Sequence, residues 1–198
     1  MVLAAVVDGD DGSGRTNEDD GETQAGRAET DHATGQALTA PGPEPSDVAA
    51  VAAQLGRPPR AMRAVAHRCP CGQPDVIETS PRLADGTPFP TLYYLTCPRA
   101  CSAVGRLEAT GAMREMTDRL GRDADLAQRY ADAMRSYLAR RDALEVLPGA
   151  PTAGGMPTRV KCLHVHVAHA LAGGPGVNPF GDEALAAIGS WWDDGPCV

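Results

Sequence analysis

At 198 residues, 42% of them hydrophobic, the chain suits one ordinary domain with its own core plus a tail. No apolar run approaches the ~20 residues of a membrane helix, and the opening "MVLAAVVDGDDGSG" lacks the basic flank and cleavage pattern of an export signal, so neither a membrane partner nor secretion is expected. The net charge of −8 belongs to residues 1–46, where ten acids face two bases; elsewhere 16 acids balance 16 bases, and a neutral body offers no electrostatic case for nucleic acid.

Residues 1–46 hold almost no large apolar side chain after Val7 and end in "APGPEPS". Such a segment cannot bury enough surface to offset its ordering entropy, which predicts a disordered acidic tail closed by a proline-rich linker. A single domain is expected over 47–198. It opens with "SDVAAVAAQLG": Ser46 can cap a helix, Val48, Val51, Ala52 and Leu55 recur at helical spacing, and Gly56 with Pro58 stops it. Three strand-like runs follow, at 61–67, 75–80 and 91–96. "CPCG" lies in the first connection and the turn-rich "PRLADGTPFP" forms the second. Helical patterns then take over. One runs from Pro98 to Gly111, a second covers "AMREMTDRLG", and the longest is "DADLAQRYADAMRSYLARRDALEVL", whose Leu126, Tyr130, Met134, Tyr137, Leu138 and Leu144 share one broad face. After the loop "PGAPTAGG" a helix is predicted from Pro157 through "MPTRVKCLHVHVAHALAGG", and the end reads as a loop, a short helix and an irregular segment. The fold class is α+β: a small antiparallel β-meander of about three strands covered by several helices.

Six cysteines without an export signal point to a cytoplasmic protein, where thiols stay reduced and serve as metal ligands or reactive groups more than as disulfides. The stretch "HRCPCG" (67–72) places two thiols one residue apart. It admits a metal turn, a redox pair, or thiols that merely pack. Proline fixes φ and glycine permits a positive φ, as a metal turn requires, although the spacing is one residue shorter than the familiar Cys-Pro-x-Cys-Gly knuckle. Strand parity in a three-stranded meander returns Cys97 to the sheet end that holds Cys69 and Cys71, at a helix start where the dipole favours a thiolate. A tetrahedral ion needs a fourth ligand, and "KCLHVHVAH" (161–169) offers Cys162. On a helix Cys162 and His166 face one way, with His169 two turns from Cys162; with an extended start Cys162, His164 and His166 line one side. A metal site is therefore expected at Cys69, Cys71, Cys97 and Cys162, with His164, His166 and His169 as alternates. Zinc is favoured over an iron–sulfur cluster.

Other residues receive plainer readings. His67 is expected as a hydrogen-bonded histidine, Cys101 as packing, Cys197 as a free thiol, and Trp191 and Trp192 as packing anchors. The paired glycines 154 and 155, with Arg159 and Lys161 beyond them, form either an anion-binding loop or an ordinary one. Asp182 and Glu183 fit a first helical turn. No Ser-His-Asp arrangement or catalytic carboxylate pair stands out.

The phrases "RCPCGQPDVIETSPRLADGTPFPTLYYLTCPRA", "GRLEATGAMREM", "GGMPTRVKCLHVHVAHALAGGPGVNPFGDEAL" and the terminal "WW…GPCV" resemble an actinobacterial domain-of-unknown-function family, number five hundred and one, over about residues 47–198. Cys69, Cys71, Cys97, Cys162, His164 and His169 lie in the matching phrases, and the resemblance implies no established activity. The sequence thus supports a cytoplasmic interaction or scaffold module with a protein partner, whose sheet is clamped to a C-terminal helix by zinc. The alternatives are a zinc hydrolase with an open coordination position and a thiol oxidoreductase using Cys69 and Cys71.

Overall fold

The structure, a computed structural model, describes residues 42–193 and 195–197. The expectations for residues 1–41, an acidic disordered tail without leader or anchor, lie outside the described residues. Helix α1 (Pro45–Leu55) starts earlier than Ser46 suggests: Pro45, whose missing N–H costs nothing at a helix start, takes the first position and Glu44 precedes it. Gly56 ends it at φ 65°, in the left-handed region that glycine tolerates. Strands β1 (Met62–Arg68), β2 (Pro74–Thr79) and β3 (Tyr93–Leu95) form one antiparallel sheet in the order β1-β2-β3. The register pairs Val65 with Ile77 and Val76 with Leu95. Central β2 is buried along its whole length, so both faces of the sheet are covered. Val76 joins the main core, while Ile77 points the other way beside Leu55 and Tyr94.

Five more helices follow: α2 (Pro98–Ala109), α3 (Ala112–Leu120), α4 (Ala124–Asp142), α5 (Leu163–Gly173) and α6 (Pro179–Ile188). With three antiparallel strands this is the α+β architecture the periodicities predict. On α4 the buried residues are Leu126, Tyr130, Ala133, Tyr137 and Arg141, one stripe at helical spacing. Buried Glu78 on β2 is held by a bidentate Arg140 from α4 at 2.9 and 3.0 Å, which ties the helix to the sheet. Among the described residues no helix is long and apolar enough to cross a membrane.

The helix predicted from Pro157 begins instead at Leu163. Gly154 and Gly155 adopt φ 62° and 90°, and Lys161 N–H donates back to Gly154 O, so the chain closes a turn there. It then runs extended through buried Val160, whose N–H donates to Thr117 Oγ1, to Cys162 at φ −150°. The close packing of Gly154 against the His166 ring, 2.7 Å from where a Cβ would stand, assigns this glycine to packing.

Helix α5 is the buried axis of the domain, against the sheet on one side and α6 on the other. Its His166 and His169 share one partner. The Asn178 side-chain amide, just before α6, donates to Nδ1 of both at 3.2 and 3.3 Å, and its Oδ1 accepts from Gly181 N–H. Both imidazoles are therefore neutral with a lone pair on Nδ1. Burial pushes each down to about 4. Unfolded histidine binds its proton near 6.5. The fold thus keeps this contribution above pH 6.5 and loses it as pH falls towards 4, because the unfolded chain takes up protons the fold refuses. Denaturant titrations should show unfolding free energy falling steadily from pH 6.5 to 4.5; an unchanged value would remove the neutral-pair assignment.

Candidate metal centre

The β1–β2 connection is a tight turn over Cys69, Pro70, Cys71 and Gly72, closed by Gly72 N–H donating to Cys69 O at 2.8 Å. Proline suits the second position of such a turn, and Gly72 takes φ 87°. Cys69 N–H donates to Gln73 O at 2.9 Å, so the hairpin is pinned just where strand gives way to loop. The turn aims both thiols inward. Backbone amides follow them: Cys71 N–H reaches the Cys69 sulfur, and the N–H groups of Gln73 and Cys197 reach the Cys71 sulfur.

Cys197 supplies the third thiol. Its sulfur lies 3.3 Å from that of Cys69, and the three sulfurs of Cys69, Cys71 and Cys197 all fall within 4.8 Å of one another. The segment carrying it is anchored by its backbone: Gln54 of α1 donates to Cys197 O and Arg99 of α2 donates to Pro196 O. Cys97, directly after β3, caps α2 and accepts Ala100 N–H at its sulfur, and its side chain also meets the Cys197 thiol. Cys69, Cys97 and Cys197 are buried, whereas Cys71 is partly exposed. Burial raises Cys69 and, together with the Cys97, Cys69 and Cys71 thiols, raises Cys197 strongly. Burial acts the same way on Cys71, but the amides of Gln73 and Cys197 and the neighbouring thiols outweigh it and bring that sulfur down. The arrangement can concentrate negative charge on sulfur at one point, which is what a soft-to-borderline cation takes.

A second group forms where the end of α2 meets the start of α5. Glu108, Cys162 and His164 bring one ligand atom each within 4.8 Å of the others. His164 Nδ1 lies 3.2 Å from Glu108 Oε1 and 4.0 Å from Cys162 Sγ, and its Nε2 donates to Cys101 O at 3.2 Å. Glu108 Oε1 also accepts Leu163 N–H at 2.6 Å. The adjoining thiol pushes His164 up to about 9, and His164 in turn draws Cys162 down against the effect of burial. Cys162 and His164 border a cleft of about 470 Å³ with Thr91, Tyr93, Tyr94 and Val165. Partly buried Cys101 is pushed up to about 11, chiefly by that burial, and packs with its thiol on Leu95 O.

The structure therefore groups Cys69 and Cys71 with Cys197, against whose thiol Cys97 lies, and places Cys162 with Glu108 and His164 in a different group. His166 and His169 lie in the α5–α6 packing on Asn178. His67 bonds Asp75 at 2.7 Å, a hydrogen-bonded histidine as expected. Trp191 and Trp192 pack edge to face at 4.6 Å against the core. Asp182 occupies the first turn of α6 and Glu183 pairs with Arg119. Two site residues escape sequence reasoning. Cys197 reads as a free thiol because no periodicity signals the return of its segment to the sheet. Glu108 carries a weak signal: it is seven residues after Cys101 on α2, hence on the same face, and both meet His164.

The family described as protein of unknown function (DUF501) matches residues 65–186, a span that includes Cys69, Cys71, Cys97, Glu108, Cys162 and His164. No curated protein and no solved structure matches the chain.

Proposed function

We propose, for a chain that belongs to the family described as protein of unknown function (DUF501), a role as an α+β module held together by one zinc ion on Cys69, Cys71, Cys97 and Cys197. The observation that carries this reading is the meeting of sulfurs from three separate parts of the chain, with backbone N–H groups on those of Cys69, Cys71 and Cys97. Four thiolates at the usual Zn–S distance of ~2.3 Å form a tetrahedron with edges of about 3.8 Å, and the Cys69, Cys71 and Cys197 sulfurs, all within 4.8 Å of one another, stand near that spacing. A single ion fits better than an iron–sulfur cluster, whose four thiolates are divided among two or four irons and therefore cannot all stand so close together. A site closed by four protein ligands is structural, since no position is left for water or substrate. The module then acts through its protein surfaces, in a reducing, cytoplasmic setting that keeps all six cysteines free.

Purification under reducing conditions should yield zinc, one equivalent of which is lost when Cys69 and Cys71 are both replaced by serine. Less than a tenth of an equivalent of zinc in the wild-type protein would contradict the reading. One rival has a specific observation behind it: the Cys197 and Cys69 sulfurs, 3.3 Å apart, can lose two hydrogens to an oxidant and become a disulfide. Protein whose intact mass lacks those two hydrogens under mild oxidant, and which binds no zinc when reduced, would favour that thiol switch.

A further inference from the structure

We propose that Glu108, Cys162 and His164 form a second metal site, with a coordination position open to the cleft beside Tyr93 and Tyr94. The partners of His164 fix the place of its ring proton. A carbonyl oxygen only accepts, so the 3.2 Å contact with Cys101 O commits Nε2 to carrying hydrogen. In the neutral ring Nδ1 is then a bare lone pair. It faces a carboxylate oxygen at 3.2 Å and a sulfur at 4.0 Å, two more electron-rich atoms. Three such atoms turned towards one another need a positive charge among them, supplied either by a proton on Nδ1, which makes the Glu108 contact an ion pair, or by a metal ion held by all three.

The surroundings orient the three groups as an outer shell orients metal ligands. Cys101 O holds the far side of the imidazole, and Leu163 N–H holds Glu108 Oε1 at 2.6 Å. Cys162 precedes α5 in extended conformation, so its sulfur and the His164 ring two residues later reach the same place. The mixed sulfur, nitrogen and oxygen set suits zinc or cobalt rather than magnesium or calcium. Three protein ligands beside an open cleft contrast with the four-thiolate site, and leave room for a small oxygen- or nitrogen-donor ligand carrying an aromatic or apolar group towards Tyr93 and Tyr94. This site shares no ligand with the proposed four-thiolate centre and stands or falls separately.

The test uses the full chain, stripped of metal under reducing conditions and titrated with cobalt(II), with azide as the exogenous ligand. Cobalt uptake should include one equivalent whose visible absorption shifts on adding azide, and bound cobalt should slow alkylation of Cys162 by iodoacetamide, read by peptide mass. Glu108→Gln and Cys162→Ser should each lower uptake by one equivalent and abolish the azide response, whereas Cys197→Ser should retain it. The alkylation and azide readings need no variant, so misfolding of a mutant does not blunt the test. Cobalt spectra insensitive to azide, with Cys162 alkylated equally fast with and without cobalt, would mean that a proton on Nδ1 is the only cation there and would overturn the proposal.

Discussion

Replacing Cys197 by serine should remove the thiolate-bound zinc and lower the thermal midpoint by about 10 °C. The side chain is buried, with 1% exposure, and touches the other three thiols. If those thiols only packed together, serine would cost on the order of 1 kcal/mol for a buried hydroxyl, and substitutions at Cys69 and Cys197 would add. If they share an ion, the first loss opens the site and carries most of the penalty. Binding free energy is folding free energy at such a site, and a loss of ~3–4 kcal/mol moves the midpoint of a domain this size by roughly 10 °C. A second substitution then costs little more. Chelator should reproduce the loss in wild-type protein and do nothing to the variant. Additive small effects, insensitive to chelator, would show that the thiols merely pack.

Gly181→Ala should destabilise the fold by about 3 kcal/mol or more, without lowering metal content in the fraction that remains folded. A Cβ there would stand 2.2 Å from His166 O and 2.7 Å from Ala170 Cβ. The obstacle is backbone, so no rotamer relieves it, and α6 must move away from α5. That movement also pulls Asn178 from the two imidazoles it holds. Gly105→Ala on α2 is the matched control. Its backbone is helical and no atom lies within 4 Å of the new carbon, so it should gain up to ~1 kcal/mol. Equal effects of the two substitutions in chemical denaturation would contradict the close α5–α6 crossing.

Much of the fold is legible because period and punctuation are local. The three strands and the buried stripe of α4 follow from side-chain spacing, and the Cys69–Gly72 turn from proline and glycine at the positions that need them. The end of β3 at the sheet end that holds that turn is legible too, since an odd number of antiparallel strands ends where the second began; there the Cys97 side chain meets Cys197. Two features depend on distant partners. The segment from Met156 to Cys162 carries a helical pattern, but the glycine turn and the anchoring of Val160 on Thr117 hold it extended. That shift sets the direction of Cys162 and sends it to Glu108 instead of to the sheet end. Cys197 arrives through its own carbonyl on Gln54, 143 residues away, and that of Pro196 on Arg99, 97 residues away, which no local pattern records.

The most direct test is X-ray absorption at the zinc edge of Cys162→Ser protein, in which the four-thiolate centre is the one expected to hold metal. Four sulfur scatterers at ~2.3 Å are expected, with none of the outer-shell signature of imidazole. A first shell of nitrogen and oxygen, or protein that retains no zinc at all, would contradict the four-thiolate centre.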